Sequence, residues 1–222
     1  MIFSAIVPIK LESERLPNKN FKELLNKPLF HYVLDTLSTV DAIAEIIIDT
    51  DCPELLTTYL KNKSSKFKVL PRPSELKGNL VVMNALLMNT LPSVQQQHVI
   101  QTHVTNPLLK SATIEKAMAM YAKNLATHDS LISVNVCKKR FYDQEANPVN
   151  HQLSSMQSTQ NLAPLYEENS NLFIFSKQSF YANHNHRIGL RPFLFEMHPL
   201  ESVDIDELHE FKLAELLLQN GF

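Results

Sequence analysis

The chain has 222 residues, 44% hydrophobic and 20% charged, with a formal net charge of −2, which suits one α/β domain that folds without disulfides or structural metal. That charge excludes binding to DNA or RNA through a general basic field, so an anionic ligand must be held by local groups. Two cysteines, Cys52 and Cys137, fit no metal-ligand spacing or disulfide framework, and three glycines leave no P-loop or dinucleotide fingerprint.

The first apolar run, Met1–Ile9, is followed at once by Lys10, Glu12 and Glu14. It has neither the basic start nor the cleavage site of a signal peptide, and no stretch approaches the roughly 20 apolar residues that span a bilayer. The expectation is a soluble, cytoplasmic protein with no membrane or nucleic-acid partner. Strand-like runs fall at Phe3–Val7, Glu45–Asp49, Lys68–Leu70, His98–Gln101, Ser130–Val136, Leu172–Phe175 and Pro192–Met197. Helical spacing lies between them. It is carried by Leu29, Val33, Leu34 and Leu37 after Pro28, and by Leu55, Leu56 and Leu60 after the Asp51–Pro53 turn. It returns from Leu80 to Leu91, from Ile114 to Leu125 with Ser111 as cap, and from Glu207 to Gln219, stopped by Asn220–Gly221.

This alternation predicts an α/β fold, a mostly parallel sheet with helices on both faces. Ligands of such sheets sit beyond the carboxyl ends of the strands, so the loops after Val7, Asp49 and Gln101 are the candidate site. Over residues 138–166 the pattern weakens into Gln, Asn, Ser and Pro, which reads as an inserted arm or a surface loop.

The loop after the first strand carries Lys10, Ser13, Arg15 and Lys19. Its cations could surround a triphosphate, lysine as a compact charge and arginine as a bidentate fork. Near the end, Asp204 and Asp206 precede the last helix. One of them could cap it, or the pair could hold Mg²⁺, which takes one or two carboxylates plus phosphates and waters. His184 and His186 define no third metal ligand and read as a solvated loop, Asp51 reads as a turn former, and Phe173, Phe175, Phe193 and Phe195 read as core.

Several motifs in order give these residues a context. Leu16-Pro17-Asn18-Lys19-Asn20 resembles the Leu-Pro-x-Lys-Asn signature of CMP-sugar synthetases, the cytidylyltransferases that activate sialic acid and related acidic sugars. Asn26-Lys27-Pro28-Leu29 resembles their Gly-Lys-Pro-Leu, Asp49-Thr50-Asp51 their Ser-Thr-Asp, and Arg72-Pro73-Ser74-Glu75-Leu76 their Arg-Pro-x-Glu-Leu. Thr105-Asn106-Pro107-Leu108 resembles Thr-Ser-Pro-Leu, with His103 where Gln is usual, and Ser202-Val203-Asp204-Ile205-Asp206 resembles the Asp-x-Asp that opens the last helix.

The resemblance implies a three-layer α/β/α nucleotide-binding domain spanning residues 1–222, with 138–166 as a small dimerisation arm. It implies transfer of CMP from CTP to an acidic eight- or nine-carbon sugar, with pyrophosphate released, in a homodimer. Lys10, Ser13, Arg15 and Lys19 would hold the triphosphate, and Asp204 and Asp206 would hold Mg²⁺. Arg72 and Asn20 would border the cytosine nucleotide, His103 the nucleotide–sugar junction, and Thr105 and Gln160 would complete the substrate contacts.

The chain also departs from that pattern. Lys10 stands where arginine is usual, Leu11 and Glu12 replace small residues, and Glu14 replaces a lysine. Thr159-Gln160 stands for an Arg-Gln pair, so the sugar region lacks its carboxylate-binding arginine, and Asn169-Ser170-Asn171 stands where Asn-Gly is usual. Two other readings follow: a nucleotide-binding descendant without turnover, and a glycosyltransferase using Asp49-Thr50-Asp51 as its metal motif.

Overall fold

Strand β1 (Phe3–Ile9) is buried on both faces because it lies inside a sheet: Phe3, Ala5, Val7 and Ile9 enter one core, and Ile6 enters another. The computed structural model describes residues 1–155 and 157–222. After β1 come a small ribbon of β2 (Glu23–Leu24) and β3 (Lys27–Pro28), then α1 (Leu29–Thr39), β4 (Ile43–Thr50), α2 (Pro53–Leu60), β5 (Phe67–Pro71) and α3 (Met83–Thr90). The second half holds β6 (His98–Thr102), α4 (Ser111–Asn124), β7 (Ser130–Cys137), β8 (Leu165–Ser176), α5 (Lys177–Ala182), β9 (Pro192–Glu196) and α6 (Leu208–Gln219).

Seven strands form one sheet in the order β5-β4-β1-β6-β8-β7-β9. Strand β8 runs antiparallel to β6 and β7, while the other neighbours are parallel. The mostly parallel sheet expected from the alternation is present, with one reversed strand. Helices α1, α2 and α4 cover one face through Phe30, Leu34, Leu56 and Ile114, and α3 and α5 cover the other through Leu87 and Phe180. Phe173, Phe175 and Phe195 are core as expected, and Phe193 packs against it half-buried. Among the described residues, no helix is long and apolar enough to cross a membrane.

Two helix starts differ from the sequence reading. Helix α3 begins at Met83 rather than Leu80, because Gly78 turns the chain at φ 101° and Val82 is extended, leaving Leu80 98% exposed. Helix α4 begins at Ser111 itself, with Lys110 at the cap position and no capping side chain. The Glu201 carboxylate instead accepts the Lys110 backbone N–H at 3.2 Å.

Strand β8 is longer than the apolar run Leu172–Phe175, because its first residues pair with Val134–Cys137 in a ribbon that continues past the main sheet. The segment between β7 and β8 carries bridges Tyr142–Pro148 and Gln152–Ser155, a 3₁₀ turn at Thr159–Asn161, and exposed Tyr142, Val149 and Leu153.

Helix α6 seats Phe211 and Ala214 against Leu16, Leu24, Leu29 and Ile205. That packing holds the loop after β1 beside the segment carrying Asp204 and Asp206, and so builds the site.

Candidate active site

A cleft of about 410 Å³ lies where β1, β5 and β6 leave the sheet; the loop after β4, expected at the site, does not line it. Its lining includes Lys10, Ser13, Arg15, Lys19, Asn20, Arg72, His103, Thr105, Asp204 and Asp206. Gln160 is not among them. It is exposed in the segment between β7 and β8.

The loop after β1 is shaped locally. Asn18 takes a left-handed backbone (φ 52°), which asparagine tolerates, and the Lys19 and Phe21 N–H groups close onto the Leu16 and Asn18 carbonyls. This turn directs Lys19 inward, where its buried Nζ donates to Asp206 Oδ1 at 2.8 Å. Arg15 reaches the other oxygen of Asp206 at 2.7 Å. The Asn20 amide donates to the Lys10 carbonyl at 2.8 Å, while Asn20 Oδ1 and Ser13 Oγ are buried without hydrogen-bond partners among the described residues. Asp51 does more than form a turn, since its carboxylate accepts the Leu11 N–H at 2.9 Å and anchors the loop.

Asp204 and Asp206 differ electrostatically. Burial is the main influence that raises the Asp204 pKa, and Asp206 and Glu210 add to it, opposed by Thr105 and Lys19. Burial would also raise Asp206, but the Lys19 hydrogen bond and charge, together with Arg15, outweigh it and hold that carboxyl below its ordinary range. Neither aspartate caps α6. Glu207 holds the N-cap position, and the Glu210 carboxylate accepts the Asp206 and Glu207 backbone N–H groups at 2.7 and 2.8 Å. Both aspartates are thus left to the cleft, and Asp204 Oδ1 is buried with no partner among the described residues.

No group of three or more His, Cys, Asp or Glu side chains suited to a metal exists among the described residues. Two carboxylates, one with an unpartnered buried oxygen, nevertheless fit Mg²⁺, whose remaining positions go to phosphates and waters.

Arg72 is held by Asp49, Nε to Oδ1 at 2.6 Å and Nη2 to the Asp49 carbonyl at 3.1 Å. Thr90 donates to the second Asp49 oxygen at 2.8 Å. Asp49 is fully buried and both its oxygens are occupied, while Asp51 serves the Leu11 amide. The pair does not converge on one ion, so the geometry does not assemble the metal motif of a glycosyltransferase.

His103 sits at the cleft wall with its pKa lowered to about 4 by burial, with Arg187 and Lys19 adding to the effect. It is neutral near pH 7. Arg187 can only donate, so the Gln101 oxygen it contacts must be Oε1. That turns Gln101 Nε2 toward His103 Nε2, 3.1 Å away, and leaves the imidazole proton on Nδ1.

Several residues with site contacts were not legible from motifs. Asn79 joins two loops: Lys10 Nζ donates to its Oδ1 at 2.7 Å, and its Nδ2 donates to Glu14 at 2.5 Å. The only advance signal was the turn dipeptide Gly78-Asn79, which the helical reading of the following stretch obscured. Ser170, in the Asn169-Ser170-Asn171 stretch already read as standing where Asn-Gly is usual, lines the cleft at φ 54°, so serine adopts the conformation that glycine takes easily. Gln101 and Arg187 lay in a strand and a loop with no motif.

The chain is similar to a known set of proteins. A family model described as Cytidylyltransferase matches residues 4–221. The pseudaminic acid cytidylyltransferase of Campylobacter jejuni is 27% identical over 124 residues, covering 54% of this chain and 53% of that protein. The CMP-N,N'-diacetyllegionaminic acid synthase of Legionella pneumophila is 24% identical over 229 residues, covering 97% of this chain and 95% of that protein. Among solved structures, a CMP:2-keto-3-deoxy-manno-octonic acid synthetase complexed with CTP superposes with a TM-score of 0.71 at 12% identity, covering 100% of both chains. That likeness establishes the shared fold.

Proposed function

The chain belongs to the cytidylyltransferase family, and from that membership we propose that it transfers CMP from CTP to an acidic eight- or nine-carbon sugar, releasing pyrophosphate. The observation that carries this reading is the convergence in one cleft of Lys10, Ser13, Arg15, Lys19, Arg72, Asp204 and Asp206. Relatives named for pseudaminic and legionaminic acids support an acidic sugar as acceptor.

In this reading the anomeric hydroxyl of the sugar attacks the α-phosphorus of CTP and pyrophosphate leaves. The protein's part is positioning and charge stabilisation. Lys10 Nζ, Arg15 and Lys19 Nζ bind the triphosphate oxygens, with Ser13 Oγ as a further hydrogen-bonding group. Asn20 and Arg72 border the nucleotide, and Asp49 fixes the plane of the Arg72 guanidinium. Thr105 lines the cleft beside Asp204, and its carbonyl accepts the Ile205 N–H at 2.8 Å. His103, uncharged, separates nucleotide from sugar without adding a cation.

Asp204 and Asp206 would hold Mg²⁺, which when bound neutralises charge developing on the phosphates. Arg15 and Lys19 occupy Asp206 in the free protein. A triphosphate that draws those two cations away frees Asp206, so nucleotide and divalent ion favour each other's binding.

We assign a homodimer, with residues 138–166 as the pairing arm, on the strength of its exposed Tyr142, Val149 and Leu153. A cytoplasmic setting is favoured by the free thiols Cys52 and Cys137.

The test is pyrophosphate release with each nucleoside triphosphate, Mg²⁺ and a panel of acidic sugars. Release with CTP and at least one nonulosonic or ulosonic acid is expected. CTP-dependent thermal stabilisation with no release from any pair would favour a binding protein without turnover.

A further inference from the structure

Of the cleft's cations, Arg15 and Lys19 pair with Asp206 and Arg72 with Asp49, while Lys10 is held by the neutral Asn79; one further cation lies beside the cleft. Arg187, in the connection between α5 and β9, has no carboxylate within ion-pair distance among the described residues; Glu168 acts on it only as a more distant charge. The Arg187 guanidinium lies 3.6 Å over the Phe173 ring and donates Nη1 to the Gln101 side chain, and its backbone N–H bonds Asn84 Oδ1 at 3.3 Å.

These contacts place Arg187 one residue behind the cleft wall. Gln101 is bonded in turn to His103, and Asn84 follows Met83, and both His103 and Met83 line the cleft. The stacking and the Gln101 contact fix the guanidinium plane, and they leave N–H groups for another acceptor. Burial lowers its pKa to about 10, so it stays charged near pH 7.

A fixed planar fork with a missing anion matches a carboxylate, which it can bind in two parallel hydrogen bonds. The triphosphate is provided for elsewhere, by Lys10, Arg15 and Lys19 on the loop after β1. Residue 159, where the sugar's arginine was expected, is threonine. We propose that Arg187, oriented by Phe173 and Gln101, is the receptor for the sugar's carboxylate, supplied by the connection between α5 and β9 rather than by the arm. This rests on the acidic-sugar reading above.

The experiment compares wild type with Arg187→Lys and Arg187→Gln in pyrophosphate release, using the acidic sugar that proves active and its methyl ester. Loss of a charge-assisted pair is expected to raise KM for the sugar acid about 10- to 100-fold, with KM for CTP changed less than about 3-fold. Arg187→Lys keeps the charge but loses the fork, so it should fall between the other two. The ester should be the poorer substrate for wild type by a similar factor, and that difference should vanish in Arg187→Gln. CTP-dependent thermal stabilisation, unchanged in both variants, checks that they are folded.

An unchanged KM for the sugar acid in Arg187→Gln, or an acid–ester difference that persists there, overturns the assignment while leaving the reaction intact. If wild type turns over neutral sugars but no acidic one, both the acidic-sugar reading and the Arg187 assignment fall together.

Discussion

Replacing Asp49 with alanine separates two uses of a carboxylate at a strand end. If Asp49 neutralises Arg72, its removal strands a cation that is only 6% exposed and breaks bonds of 2.6 and 2.8 Å to Arg72 and Thr90. Thr90 keeps a second acceptor, the Leu86 carbonyl at 2.9 Å, so most of the damage falls on Arg72. Breaking one side of a buried pair costs about 3–5 kcal/mol. For a chain of this length each kcal/mol moves Tm by about 2–4 °C, which gives a fall of about 6–20 °C. The assay is urea and thermal unfolding followed by circular dichroism at pH 7 without divalent metal. The double variant Asp49→Leu/Arg72→Met, which removes both charges, should recover much of the loss. A change of less than about 1 kcal/mol in Asp49→Ala would refute the reasoning. A gain in stability would refute it more strongly, since that is what an unliganded metal carboxylate gives when its repulsion is removed.

Asp204→Asn and Asp206→Asn should each lower pyrophosphate release by at least about 100-fold and leave α6 intact, since Glu207 holds its N-cap position; full activity in either variant, or in excess chelator, would remove the metal assignment. The pH dependence of stability should carry a mark from His103. Its folded pKa of about 4 lies below the unfolded value of 6.5, so the unfolded chain takes the proton first. The stability it contributes is complete above pH 6.5 and is lost as pH falls toward 4, by about 3 kcal/mol at most because one edge stays accessible. The raised pKa of Asp204 acts in the opposite direction, so the comparison is with His103→Gln, whose unfolding free energy should fall less between those pH values; parallel curves would contradict the buried neutral imidazole. Sedimentation of a variant with residues 140–160 replaced by a short turn should show a folded monomer, and a persisting dimer would place the interface elsewhere.

What was legible in the sequence was local. Each of the seven strand runs shows in its own apolar pattern, and the turn at Leu16–Asn20 is specified by residues that contact one another along the chain. Sheet order is not local. Nothing in Leu172–Phe175 announces that this strand runs backwards between β6 and β7, since an apolar run reads the same in either direction. The cap of α6 was left open in the sequence for a related reason. Intrinsic preference favours aspartate at that position, but Ile205 is drawn into the core with Phe211, and the N-cap falls at Glu207, ahead of a helix that begins at Leu208. Arg187 was silent because its meaning lies in missing acidic neighbours and in Phe173 and Gln101, which come from two different strands.

The divergent half of the loop after β1 has a physical account that its sequence alone withheld. A glutamate at position 14 beside a triphosphate would cost energy if it faced the phosphates. It faces Asn79 instead, and the same amide accepts a hydrogen bond from Lys10, so one neutral side chain holds a cation and an anion of one loop apart. Arg15, the next residue, points the other way onto Asp206. Glu14 and Arg15 both line the cleft, Glu14 tied to Asn79 and Arg15 to Asp206, so the positive charge displaced by one position in sequence still reaches the cleft. Lys10 can leave Asn79 for a phosphate while the Asn79 amide still donates to the Glu14 carboxylate and partly offsets its charge. The intact Leu16–Asn20 turn and the altered Lys10–Arg15 stretch thus serve the same cleft, the first by backbone geometry and the second by a side-chain exchange with the loop that carries Asn79.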